Sequence, residues 1–378
     1  MSRLLIDYFA ARLDESLLLL KNLVEFESHS QDCRAVDALA VFVAAKLALW
    51  GARTELIRTG NSAAAVKAVW STQDPGPPLL LLGHLDTVWP AGTIQQRPFS
   101  IRNGKAFGPG IYDMKAGILL SLLVCRAFSE GLAQPGKDVI FVFTPDEEIG
   151  TAAGRPVISS VAGSCRAVLC LEPCLPGGAA KTARKGVGEF TISIKGVPAH
   201  AGADHHKGVS AILELSRIVI GLQSLSDHAS GITVNVGLIR GGSAANIVPA
   251  SAEAVVDFRF PSAAAGRLIE EKIRSVAPYD ARCKVRVEGG IERMPLERTA
   301  GVINLYQKAR QAARRVGMDM AEGSSGGASD GSITAAMGVP TLDGLGVDGD
   351  GAHAEDEHII IADIPRRAAF LCELIASV

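Results

Sequence analysis

A chain of 378 residues exceeds what one ordinary core sustains and reads as about two domains. Its formal charge of −2 gives no electrostatic case for nucleic acid or for an anionic membrane surface, and no apolar run reaches the ~20 residues of a spanning helix. Hydrophobic residues make up 48% of it, and 40 glycines with 18 prolines imply a large core joined by many tight connections.

The N-terminus, Met1 to Asp7, lacks the long uncharged segment and cleavage site of a signal peptide. Leucines and valine at helical spacing predict a helix over 14–28, and the pattern repeats over 36–50 before Gly51 stops it. Strands are expected near 53–58 and 63–70. After the turn-forming Pro75, Pro77 and Pro78, Leu79-Leu80-Leu81-Leu82 reads as a buried parallel strand. A helix is expected over 114–131, a strand over 138–144 and a shorter strand over 167–171. Strand, polar terminus, helix, strand, acidic terminus: this alternation is that of an α/β domain with a mostly parallel sheet. From 184 the character changes to strand 190–195, helix 208–224, strands 232–239 and 252–260, helix 263–276 and strand 283–288. That β-α-β-β-α-β order is the ferredoxin-like pattern. A helix at 301–316, a Gly/Ser turn, a helix near 329–337, a short strand at 339–342, a long loop 343–359 and a helix at 364–377 complete the chain. The expected domains are therefore 1–183 with 293–378, and an inserted unit of 184–292.

The strand at 79–83 runs into Gly83-His84-Leu85-Asp86. Residues two apart in an extended chain point to one side, so Asp86 can buttress the His84 imidazole as a metal ligand's support. Taken alone, a satisfied surface histidine is an equal reading. Other strand ends and turns add Asp113, Glu147, Glu148 and Glu172, and the late loop adds His353. Two imidazoles with several carboxylates suit zinc or a similar divalent ion, and exceed what one tetrahedral zinc takes. A carboxylate bridging two ions, each completed by one His and one further carboxylate, uses them economically. Glu147 and Glu148 can point different ways if the backbone there stays extended. The seven cysteines are scattered among apolar residues and read as reduced thiols of a cytoplasmic protein; Cys170 and Cys174 lack the second pair a zinc-finger spacing needs.

Gly83-His84-Leu85-Asp86-Thr87-Val88, Gly108-Pro109-Gly110-Ile111-Tyr112-Asp113-Met114-Lys115-Ala116-Gly117, Asp146-Glu147-Glu148-Ile149-Gly150, Leu171-Glu172-Pro173 and His353 closely resemble the di-zinc aminoacylase and glutamate carboxypeptidase family. Val88-Trp89-Pro90-Ala91-Gly92, Ser325-Gly326-Gly327-Ala328-Ser329-Asp330 and Ile364-Pro365-Arg366-Arg367 resemble its bacterial glutamate carboxypeptidase-like branch. The resemblance implies two divalent ions per chain, zinc foremost with cobalt or manganese as alternatives. His84 and Glu172 would complete one ion, Glu148 and His353 the other, with Asp113 bridging across a cis Asp113–Met114 bond. Asp86 would orient His84. Glu147 would be the general base, taking a proton from the water between the ions and passing it to the leaving nitrogen. His200 would hold the oxyanion from an inserted unit that serves as lid and homodimer interface, in its own or the partner subunit's site. Asn246, Arg259, Arg293 and Gly327 match positions that touch substrate in relatives. The implied reaction cleaves an amide next to a free carboxylate in a small peptide or N-acyl amino acid, as a carboxypeptidase. An N-acyl-amino-acid deacylase, desuccinylase or dipeptidase is the alternative, and a catalytically silent metal-binding scaffold the remote one.

Overall fold

Leu79 to Leu82 are all fully buried because alternate leucines serve two different cores: Leu79 and Leu81 join one cluster, Leu80 and Leu82 another. A strand covered on both faces reads as a continuous apolar run, and each of these side chains contributes on the order of 1.5–3 kcal/mol by leaving water. The computed structural model describes residues 2–74 and 76–378; Met1 and Pro75, the latter one of the expected turn prolines, lie outside the described residues. The chain divides into two units. The first runs to Ala183 and includes Arg298–Ser325 and Ser329–Val378; the second comprises Arg184–Glu297 with Gly326–Ala328. The return expected at 293 falls at 298, because the Arg184–Leu296 backbone pairing keeps the intervening residues with the second unit.

In the first unit the strands β1 (Arg53–Arg58), β2 (Ala64–Trp70), β3 (Leu79–His84), β4 (Val139–Thr144), β5 (Ala167–Cys170) and β6 (Thr341–Leu342) form one mixed sheet in the order β1-β2-β4-β3-β5-β6. The β1–β2 and β2–β4 pairs are antiparallel and the rest parallel. The crossover helix Ala116–Ser129 packs in the core of Leu79 and Leu81, and the helix Gly154–Ala162 in that of Leu80 and Leu82. The crossover from β3 to β4 thus covers one face and that from β4 to β5 the other, passing to opposite sides of β3, whose carboxyl end lies at the switch point where open α/β sheets bind ligands.

Several elements depart from the sequence reading, among them a strand at Glu322–Ser325, where a Gly/Ser turn was expected, paired with Ala180–Arg184. An additional helix, Ser2–Ala11, precedes Leu13–Glu25, and the helix Gly154–Ala162 occupies a stretch where none was expected. The loop 343–359 is not irregular throughout: Gly349–Asp350 and His358–Ile360 pair with each other, and His358–Ile360 with Lys105–Phe107, which pairs on to Ser100–Arg102. Strands of two or three residues have no period to read.

In the second unit the strands Gly186–Lys195, Thr233–Gly241, Ser251–Phe260 and Lys284–Arg293 form an antiparallel sheet. Numbered within this unit, their spatial order is second, third, first, fourth. Helices Ala211–Gln223 and Ala263–Arg274 complete the ferredoxin-like order. Its separate core centres on Phe190, Ile192, Phe258 and Phe260. Among the described residues no helix is long and apolar enough to cross a membrane.

Candidate metal centre

His84 ends β3, Glu172 follows β5 by two residues, and the turn Asp146–Gly150 follows β4, so three adjacent parallel strands deliver their acids and imidazole to one edge. Asp113 arrives from the irregular turn Ile111–Lys115 ahead of the crossover helix, where the Asp113–Met114 bond is cis. Its two carboxylate oxygens face different histidines: Oδ1 lies 3.1 Å from His84 Nε2 and Oδ2 lies 3.5 Å from His353 Nε2. Glu172 Oε1 is 3.4 Å from the same His84 nitrogen, and Glu148 Oε1 is 3.1 Å from His353 Nε2. His84, Asp113 and Glu172 thus bring one ligand atom each within 4.8 Å of one another, and so do Asp113, Glu148 and His353. Two mixed imidazole–carboxylate sets sharing one carboxylate fit two neighbouring divalent transition-metal ions.

The same crowding sets the protonation of the chain without bound cations. Burial pushes His84 down, but Asp113, Asp86 and Glu172 overturn it and hold the imidazole well above its ordinary range. Asp113 and Glu148 raise His353 to about 10. Burial opposes ionisation of Asp113, yet the two imidazoles hold it far below the usual carboxylate range. Burial lifts Glu148 despite its contact with His353. An imidazole must be neutral to bind a metal. Ion uptake at pH 7 is therefore expected to release protons and to strengthen as pH rises toward the His353 value of about 10. Calorimetry in buffers of different ionisation enthalpy measures this, and uptake at pH 7 with no proton release contradicts it.

Asp86 has more than its expected part: its carboxylate does face His84, but not alone. The nearer contact to His84 Nδ1 is the Asp86 backbone oxygen at 3.0 Å, with carboxylate Oδ1 at 3.4 Å. The fully buried carboxylate also accepts the N–H of Glu147 on Oδ1 (3.0 Å), the N–H of Glu148 on Oδ2 (3.1 Å) and the Ser30 hydroxyl on Oδ2 (2.7 Å). Those two amide bonds account for a correction to the turn that follows β4. The backbone at Glu147-Glu148 is not extended but a single 3₁₀ turn, Glu147–Ile149, whose free N-terminal N–H groups the Asp86 carboxylate caps. Glu148 belongs to a ligand set and Glu147 to neither, so the turn separates adjacent acids into different places.

Gly117 fixes how closely the Asp113 helix approaches the Glu172 strand. A Cβ there would lie 2.1 Å from the Leu171 carbonyl oxygen, an atom of the backbone that leads into Glu172. Gly117→Ala is expected to destabilise by about 1–3 kcal/mol as an overpacked site. It should also weaken binding of the ion shared by Asp113 and Glu172. Thermal unfolding and metal titration check both; a variant with wild-type values in each refutes the close-approach argument.

Residues 80–377 match the model of peptidase family M20/M25/M40. The chain belongs to that family. It is a metallohydrolase, and the two ligand sets make a candidate centre for two ions. The chain is 29% identical over 378 residues to carboxypeptidase G2 of Pseudomonas sp. (strain RS-16), covering 97% of this chain and 91% of that protein. It is 27% identical over 312 residues to succinyl-diaminopimelate desuccinylase of Thioalkalivibrio sulfidiphilus (strain HL-EbGR7), covering 76% and 80% respectively. The crystal structure of a dinuclear metal-binding M20 peptidase from Bacillus subtilis shares the fold, with a TM-score of 0.75 at 18% identity, covering 97% of this chain and 98% of that one.

Five expected residues of this M20 member lie in its second unit. His200 and Asn246 are on paired segments: Ala201 N–H donates to the Asn246 carbonyl at 3.0 Å, and His200 pairs with Ile247. His200 Nδ1 accepts the N–H groups of Gly202 and Ala203, both at 3.1 Å, which leaves Nε2 as the protonated, donating nitrogen of the neutral ring. Arg259 is engaged by its neighbour Asp257 through contacts of 2.7–3.0 Å. Arg293 ends its strand buried, opposite Val187. The fifth residue, Gly327, presents its carbonyl to buried Arg184, whose Nη1 also donates to Ala328, each at 3.2 Å. Arg184 was not among the expected residues. A side chain that serves distant backbone carbonyls leaves no local spacing to read.

Proposed function

We propose that this chain is a carboxypeptidase that hydrolyses an amide next to a free carboxylate and releases a C-terminal amino acid of the glutamate type. The observation that carries the metal-dependent part is Asp113, with one carboxylate oxygen toward each histidine. The substrate assignment rests on the near full-length likeness to carboxypeptidase G2. The desuccinylase relatives favour a second reading, removal of an N-succinyl group. Both reactions cleave an amide in a molecule that ends in carboxylates.

His84, Asp113, Glu172, Glu148 and His353 would hold the ions, foremost zinc. When bound, the ions would supply an activated water and polarise the scissile carbonyl. The chain's own residues do the rest. Glu147 takes the water proton and hands it to the departing nitrogen, which lets the C–N bond break without expelling an amide anion. His200 Nε2–H donates to the oxyanion as it forms. Asn246, Arg259, Arg293 and Gly327 are proposed to orient the substrate, with an arginine suited to a carboxylate through its planar fork.

The test is metal analysis with a substrate panel of glutamate-terminated peptides, N-acetyl and N-succinyl amino acids and ureido acids, run with zinc, cobalt and manganese in turn. Two ions per chain and turnover of the glutamate-terminated amides are expected. Fewer than two ions with no metal-dependent amidase activity overturns the reading, and turnover of N-succinyl substrates alone moves it to the desuccinylase.

We also propose a homodimer through the second unit, in a reducing compartment that keeps its free thiols reduced. The edge strand Thr233–Gly241 leaves Leu238 and Ile239 exposed at 55% and 57%, and helix Ala211–Gln223 leaves Ile220 exposed at 73%. An unpaired strand edge with apolar side chains is a template for a second chain. Substituting Leu238→Lys with Ile239→Lys is expected to convert a sedimenting dimer to a monomer; an unchanged dimer places the interface elsewhere.

A further inference from the structure

Glu357, four residues after His353, is nearly fully buried, and four N–H groups from two other segments converge on its carboxylate. Oε1 accepts from Tyr112 N (2.9 Å) and Asp113 N (3.0 Å); Oε2 accepts from Gly110 N and Trp89 Nε1, both at 2.8 Å. Gly110 sits at φ +71°, left-handed backbone that glycine adopts freely. That conformation lets the N–H groups of residues 110, 112 and 113 turn toward one acceptor, in the manner of an anion-binding nest. One short loop thus meets Asp113 twice. His353 reaches the carboxylate of Asp113 through Nε2 at 3.5 Å, and Glu357 takes its backbone N–H. The loop is closed on itself by Ala354 N–H to the Gly351 carbonyl and Glu357 N–H to the Ala354 carbonyl. From outside, Arg97 donates to the Glu355 carbonyl at 3.1 Å and stacks over Trp89 at 3.8 Å. Glu357 is in neither ligand set, and the reaction as proposed does not use it.

We propose that Glu357 is a positioning residue that locks the His353 loop to the Asp113 turn, so that the bridging carboxylate and the second histidine are held in register for two ions. This rests on the dinuclear reading above. The charge matters as well as the shape. A glutamine in the same place presents one amide NH₂, and whichever way it turns, two N–H donors then face a donor.

The experiment measures metal affinity in wild-type protein and in Glu357→Gln by competition with a chelator, together with the visible spectrum of the cobalt-loaded proteins. Glu357→Gln is expected to bind the ions about 10–100-fold more weakly. Its cobalt spectrum should be altered, and kcat should fall with KM less affected. Trp89→Phe removes one donor and leaves the three backbone donors in place, and should lose less than about tenfold. If Glu357→Gln does not fold, Glu357→Asp carries the same test, keeping the charge but withdrawing it by one methylene. Wild-type protein that binds fewer than two ions overturns the dinuclear reading and this inference with it. Wild-type protein that binds two, beside a folded variant of equal affinity and identical spectrum, overturns this inference alone.

Discussion

Glu147→Ala is expected to lower kcat by about 10²–10⁴-fold, the range over which a positioned general base acts, while both metal ions remain bound. Glu147 belongs to neither ligand set, whereas its neighbour Glu148 faces His353 at 3.1 Å. The two substitutions must therefore part company. Glu148→Ala should lose the ion shared with His353 and activity together; Glu147→Ala should lose activity alone. Elemental analysis beside steady-state kinetics separates them. The backbone at Glu147 is held by the Asp86 carboxylate through an N–H that alanine retains. A large fall in kcat at full metal content then reports the missing proton acceptor and not a collapsed turn. Turnover that survives at full metal content would remove Glu147 from the mechanism.

Much of this candidate site was legible in the sequence because three of its five candidate ligands, His84, Glu148 and Glu172, sit where hydrophobic strands stop. β3 announces itself as four leucines, and the first polar residue after them is the candidate ligand His84. Glu147, Glu148 and Glu172 follow β4 and β5 in the same way. A parallel sheet gathers such strand ends on one edge, so linear order alone predicts their neighbourhood. The contacts that hold those ligands in place were not legible. Ser30 and Asp86 meet across 56 residues, Gly110 and Glu357 across 247, and neither pair leaves a period or spacing in the chain. The fold behaves alike. The second unit was readable from its alternating strands, whereas Gly349–Asp350 is too short to carry a pattern. Helix Gly154–Ala162 went unread for another reason: it opens with Gly154 and Pro156, residues that punctuate chains far more often than they begin helices.

Asp86→Ala is expected to cause the largest loss of stability of any substitution considered, and its effect on metal binding decides what Asp86 is for. The side chain is fully buried and accepts three hydrogen bonds, from Ser30, Glu147 and Glu148. Alanine takes this acceptor from the two amides, while the Ser30 hydroxyl keeps the Thr87 carbonyl at 3.3 Å. At roughly 1–3 kcal/mol for each of the two amides, and with partial relief by water at the turn, a loss of about 2–5 kcal/mol follows. That is a large share of the ~5–15 kcal/mol that holds a typical domain together. The two possible tasks of Asp86 predict different metal contents. If its carboxylate chiefly orients His84, the ion shared by His84 and Glu172 is the one weakened. The geometry favours the other outcome, since His84 Nδ1 keeps its 3.0 Å partner, the backbone oxygen of residue 86, whatever side chain stands there. The turn bearing Glu147 and Glu148 loses both of its amide anchors at once. The ion held by Glu148 and His353 should therefore weaken first, and kcat should fall with it. A double substitution sharpens the test. If Asp86 acts on catalysis through the Glu147 turn, Asp86→Ala adds little further loss of kcat in a Glu147→Ala background at saturating metal, while its cost in stability persists undiminished. Additive losses in kcat would instead return Asp86 to the side of His84.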